Sequence, residues 1–109
     1  MFATTSNDVD GYSVSEYLGV VRGIVVRSPN LAQGFIGGIN QIFGGNIEAY
    51  AQVCERARQD AYERMVQHAA AIGANGIIAV RYDATEFTQS VTEVLCYGTA
   101  VKLVAKART

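Results

Sequence analysis

The chain has 109 residues, half of them apolar and 17% charged, which is enough for one domain (1–109) and too hydrophobic for intrinsic disorder. A formal net charge of −1 without clustered cations excludes a nucleic-acid footprint and a polybasic membrane patch. A monomer of 11.7 kDa folds with about 5,900 Å² of accessible surface, which nine basic and ten acidic residues cover sparsely, so self-association is expected.

The opening run Phe2-Ala3-Thr4-Thr5-Ser6-Asn7-Asp8 lacks the cationic start and apolar core of a secretory signal. No apolar run is long enough to span a membrane, and a cytoplasmic location is expected. Tyr12 to Arg27 reads as a strand, rich in β-formers and stopped by Ser28-Pro29-Asn30. Alternation puts Leu18, Val20, Arg22, Ile24 and Val26 on one face and Tyr17, Gly19, Val21, Gly23 and Val25 on the other. Both faces are largely apolar, which suits a sheet buried on both sides. With one long helix available, the second face is expected to pack against another subunit, Gly19 and Gly23 allowing close approach there.

Asn30 is a candidate N-cap for a short helical segment carrying Leu31, Phe35, Ile36, Ile39, Ile42 and Phe43, loosened by internal glycines and broken by Gly44-Gly45. The strongest element begins at Asn46 as N-cap and runs about seven turns to Ile72, with Gly73 as a left-handed C-cap. Its apolar stripe is Ile47, Tyr50, Cys54, Ala57, Ala61, Met65, Ala69 and Ile72, and Gln52, Glu55, Arg56, Gln59, Asp60, Glu63 and Gln67 fall opposite. Arg56–Asp60 and Asp60–Arg64 are i,i+4 pairs on the wet side. After the turn Gly73-Ala74-Asn75-Gly76, strands are expected over Ile77 to Asp83 and Glu93 to Lys106, with a polar link between them. The expected fold class is α+β: a small antiparallel-rich sheet of three main strands covered by one long helix, in the order β-(short α)-α-β-β. A right-handed crossover follows if the first two long strands pair in parallel.

Cys54 and Cys96 could serve as soft-metal ligands, because two cysteines in a cytoplasmic chain are not expected to form a structural disulfide. Their positions in a helix stripe and a strand equally suit buried core thiols, and neither C-x-x-C nor H-x-x-x-H is present. His68, the sole histidine, lies about 21 Å along the helix from Cys54, so those two could share an ion only across subunits. Arg58 falls near the middle of the apolar stripe, where a cation needs a partner; Asp83, Glu86 and Glu93 are candidates. Arg81 and Asp83 share a strand face and could join that ion network or contact a ligand. Gly34-Phe35-Ile36-Gly37-Gly38 and Gly44-Gly45 lack the order of a phosphate-binding loop. One histidine and no G-x-S-x-G elbow argue against an enzyme.

Tyr17-Leu18-Gly19-Val20-Val21-Arg22-Gly23, the Gly44-Gly45 break, Ala57-Arg58-Gln59-Asp60-Ala61, Gly73-Ala74-Asn75-Gly76-Ile77-Ile78 and Tyr97-Gly98-Thr99-Ala100-Val101 together resemble the YbjQ-like family of small bacterial and archaeal proteins, over nearly the whole chain. The resemblance implies a dodecin-like α+β subunit, a pentameric ring, and an uncharacterised function with a heavy-metal-binding designation. The leading expectation is a cytoplasmic homo-oligomer, a pentamer, that binds a small ligand or a soft or borderline metal ion (Zn or Cu) at or between subunits. Cys96 and Cys54 would be the thiolate ligands and His68 the third. A structural or interaction module without ligand is the alternative. A dodecin-like cofactor binder using Tyr and Phe faces ranks lower, since tryptophan, the best stacking side chain for a flavin, is absent.

Overall fold

The computed structural model describes residues 1–27, 47–88 and 91–107. It has a short strand β1 (Phe2–Ala3), a long strand β2 (Tyr12–Arg27), one helix α1 (Ile47–Ala71), and strands β3 (Gly76–Thr88) and β4 (Val91–Ala105). These form an α+β unit with a four-stranded mixed sheet in the order β1-β3-β4-β2. The expected short helical segment over 31–43 lies outside the described residues. No described helix is long and apolar enough to cross a membrane.

Three features depart from the sequence expectation. First, the condition for a crossover, parallel pairing of the first two long strands, is not met: β4 lies between β2 and β3 and is antiparallel to both. Secondly, β1 adds a parallel edge, pairing Phe2 with Gly76 and Ala3 with Ile77. Two residues give no readable periodicity, so this strand left no mark in the sequence pattern. Thirdly, β3 continues past Asp83 to Thr88, which pairs with Val91. The polar residues there are tolerated because strand pairing needs backbone donors and acceptors, not apolar side chains.

Helix α1 ends as its sequence dictates. Gly73 has φ +89°, its N–H donates to Ala70 O at 3.1 Å, and Ala74 N–H donates to Ala69 O at 3.0 Å. This is the Schellman pairing that satisfies two carbonyls of the last turn. Asn75 then mimics a strand residue: its Nδ2 donates to Leu103 O at 3.0 Å, and its Oδ1 accepts from Leu103 N–H at 2.7 Å.

The helix covers one face of the sheet, resting chiefly on β2 and β4. Its buried line is Ala57, Ala61, Met65 and Ala69, spaced by four, and it meets Val21, Val25, Ile77, Val80, Val94, Cys96 and Ala100. Small residues on the helix let it sit low. A Cβ on Gly23 would strike Ala61 O, and would stand 2.6 Å from Met65 N and 2.8 Å from Arg64 Cβ. Gly23 therefore admits the chain's own helix. The expectation that it admits a second subunit is overturned.

The same packing decides which face of β2 is which. Val21 and Val25 are 0% and 2% exposed beneath the helix, whereas Val20, Ile24 and Val26 on the opposite face are 66%, 37% and 40% exposed. The β2–β4 register also shifts twice, between Val14 and Glu16 and again between Tyr17 and Gly19. At the second shift Gly19 has φ +111°, so Leu18 joins the helix side with Val21 and packs against the core. A bulge of this kind inserts one residue and reverses the facing of the residues just before it.

Candidate functional site

Cys96 lies in the middle of β4, paired with Gly23 on one side and Tyr82 on the other. It is fully buried and its Sγ stands 3.6 Å from Met65 Sδ. Burial pushes its thiol up, with neighbouring Tyr82 acting in the opposite sense. Tyr82 is pushed up to about 12, by burial first and by Cys96 beside it. Both side chains are therefore held protonated at neutral pH.

Cys54 behaves differently and corrects the stripe drawn from sequence. It is exposed, because continuing the four-residue spacing back from Ala57 leads to half-buried Val53 and leaves Cys54 about 100° around the helix. It lines a groove of about 240 Å³ with Arg27, Arg58 and Thr92 over Ala57 and Val94. Arg58 is exposed for the same reason, one residue past the buried line. Asp83 and Glu93, two of the carboxylates expected to face it, stand on the other face of the sheet, as their positions between Tyr82 and Ala84 and beside Val94 require.

His68 is on the exposed flank of α1, where its Nδ1 accepts the Arg22 backbone N–H at 3.2 Å. It belongs to a line spaced by four along the outer edge of β2. Arg64 Nη1 donates to Ile24 O at 2.6 Å, and Asp60 Oδ2 takes Arg27 Nη2 at 3.2 Å. The expected Arg56–Asp60 pair is present at 3.4 Å. Arg64, expected to pair with Asp60, instead caps the strand edge.

The three expected metal donors do not converge within one subunit. Cys96 Sγ is fixed against Met65, eleven residues and about 16 Å along the axis from Cys54, whereas two thiolates on one zinc each lie about 2.3 Å from it. His68 is further still from Cys54, and its Nδ1 is engaged. Among the described residues no group of three or more His, Cys, Asp or Glu side chains is placed to hold a metal ion.

Arg81 and Asp83 do share a face, the one that α1 leaves open. On that face the registers set Arg22, Tyr97 and Arg81 side by side in a single row across β2, β4 and β3. All three are exposed, Tyr97 by 37%. Ile24, Leu95 and Asp83 form the next row toward the β3–β4 turn, followed by Val26, Glu93 and Thr85. Arg81 Nη1 donates to Thr5 O and Val80 O, both at 2.9 Å. No salt bridge joins Arg22 or Arg81 to a carboxylate among the described residues. Sequence reasoning missed Arg22 and Tyr97 as a group, because only the strand order brings them beside Arg81.

Comparison with known proteins gives a consistent lineage. A family model described as "Putative heavy-metal-binding" matches residues 1–104. A UPF0145 protein of Legionella pneumophila (strain Corby) is 57% identical over 101 residues, 93% of this chain and 96% of that one. Another, from Chromobacterium violaceum, is 58% identical over 100 residues, covering 92% and 86%. Among solved structures, a protein of unknown function from Pediococcus pentosaceus superposes with a TM-score of 0.50 at 17% identity, covering 95% of this chain and 98% of its own. That last likeness concerns the fold alone. The family match over almost the full length, with relatives above half identity, establishes that this chain belongs to the YbjQ-like family.

Proposed function

We propose that this protein is a self-assembling, non-enzymatic subunit that forms a ring, five to a ring, and binds a small ligand or a soft metal ion at or between subunits. The observation that carries the reading is the sheet face that no described element covers, where Val20, Ile24, Val26 and Tyr97 lie exposed together while the opposite face is sealed by α1. Apolar side chains gathered on one side of a small domain mark an association surface. The dodecin-like description of the subunit and its cytoplasmic location belong to the same reading.

A metal would need donors from different subunits. Cys54 and His68 are both exposed and could meet a neighbour's groups, whereas Cys96 could contribute only where the packing over Met65 opens. Native mass spectrometry of freshly purified protein in reducing, chelator-free buffer tests the proposal. A five-subunit mass carrying integral adducts is expected, with the adduct lost in Cys54→Ser or Cys96→Ser if it is a metal. A bare monomer would overturn the assembly, and metal uptake unchanged in both cysteine variants would overturn the thiolate assignment.

A further inference from the structure

We infer that the hollow at the amino-terminal end of the sheet is a binding site for a small zwitterion with a ring-bearing side chain, an aromatic α-amino acid in chemical class. The inference deepens the small-ligand reading above and rests on it.

The hollow has two compartments that share a wall. One, of about 340 Å³, is lined by Phe2, Val9, Tyr12, Asn75 and Leu103. The other, of about 650 Å³, shares Val9 and Tyr12 and adds Asp8, Asp10 and Lys106. Both lie at the far end of the 16-residue strand β2 from the groove around Cys54. The walls are pinned by hydrogen bonds within the chain. Phe2 N–H donates to Asn75 O at 3.2 Å, and the Asn75 amide clips both backbone groups of Leu103. Tyr12 N–H donates to Val9 O at 3.1 Å, and Lys106 N–H donates to Gly11 O at 2.9 Å, which ties the turn bearing Asp8 and Asp10 to the end of β4. A cradle held in this way costs little further ordering when a ligand arrives.

The lining decides what fits. Phe2 and Tyr12 are about half-exposed, so two aromatic rings offer area that a third ring can cover by stacking or edge contact. No charged side chain lines their compartment, and a charged head group therefore belongs in the other one. There both signs are present, and no salt bridge or side-chain hydrogen bond joins Asp8, Asp10 or Lys106 to a described residue. Opposite charges that line one hollow without meeting leave room for the complementary pair: an ammonium against the two carboxylates and a carboxylate against Lys106. In an α-amino acid both groups and the side chain leave from one carbon. A head group seated among Asp8, Asp10 and Lys106 thus sends its ring past the shared Tyr12 wall toward Phe2 and Leu103. An amine alone would leave Lys106 unused, and a carboxylate alone would meet two like charges.

Isothermal titration calorimetry of the intact protein with L-phenylalanine, L-leucine, phenethylamine and 3-phenylpropanoate tests the site. L-Phenylalanine is expected to bind more tightly than L-leucine, and about tenfold or more above the two analogues that each lack one charged group. Tyr12→Ser should weaken L-phenylalanine by about tenfold. Lys106→Gln should weaken L-phenylalanine and leave phenethylamine unchanged, whereas Asp8→Asn combined with Asp10→Asn should weaken both and spare 3-phenylpropanoate. Equal affinity for the four compounds, L-phenylalanine affinity retained in both the tyrosine and the double aspartate variants, or no heat from wild-type protein whose circular dichroism is that of the folded state, would overturn the site. Native mass of the same samples separates the two proposals: an intact ring that ignores L-phenylalanine removes the site alone, and a monomer that binds it removes the assembly alone.

Discussion

Tyr82, 45% exposed on the helix side of β3 beside buried Cys96, carries a pH dependence of its own. Its phenol is pushed up to about 12 from 10.0, mainly because burial disfavours the phenolate. The native state therefore holds its proton over a range in which the unfolded chain has lost it. Such a group contributes stability in full below the unfolded value, and that contribution fades as pH rises through the folded one. Urea midpoints measured across this range should fall between about pH 10 and 12. Tyr82→Phe should flatten the decline, leaving the part due to Cys96, whose thiol is also raised by burial. A decline of equal steepness in the variant would remove Tyr82 as its source. The sequence showed Tyr82 only as one residue of a strand; its pairing with Cys96 depends on which strands are neighbours.

At the scale of elements, the spacing between α1 and the sheet is set by what β2 omits. Gly23 is the one point on β2 where backbone of the helix, Ala61 O and Met65 N, occupies the place of a side chain. Gly23→Ala should force the helix outward and cost about 1–3 kcal/mol, the usual penalty for overfilling a packed core. Chemical denaturation reads this directly, and an unchanged midpoint would mean that the helix rides elsewhere. Most elements were legible from sequence because their signals are local. The alternation of Val21, Ile24 and Val25, the four-residue spacing of Ala57, Ala61, Met65 and Ala69, and the cap at Gly73 each need only neighbouring residues to read. What failed was non-local or depended on a single residue. The bulge at Gly19 reversed the facing of Leu18, the placement of Cys54 and Arg58 turned on a 100° step around the helix, and the Arg22–Tyr97–Arg81 row existed only once β4 stood in the centre.

For the whole molecule the decisive asymmetry is between the two faces of the sheet. The principal-axis extents are 62 × 23 × 19 Å, and among the described elements only α1 covers a face of the sheet, the one opposite Val20 and Ile24. Adjacent residues on β2 therefore have opposite fates on substitution. Ile24→Lys places a charge on the open face and is expected to give a folded monomer with wild-type circular dichroism. Val25→Lys drives a charge into the buried core under α1 and should abolish folding. Sedimentation velocity beside circular dichroism distinguishes the two; wild-type assembly mass in Ile24→Lys would remove the open face as the contact surface.

The line of Asp60, Arg64 and His68 along β2 has a further consequence. A strand at the border of a sheet exposes a row of unused backbone donors and acceptors that any extended chain can copy. Here Arg22 N–H and Ile24 O, two of the outward groups, are already spent on the protein's own helix. The border is thereby blunted over the stretch richest in β-branched residues, the kind of segment that templates fibrils when left bare. An assembly made from such subunits can form through the open sheet face but is denied propagation along this rim, which separates a closed complex from an open-ended filament.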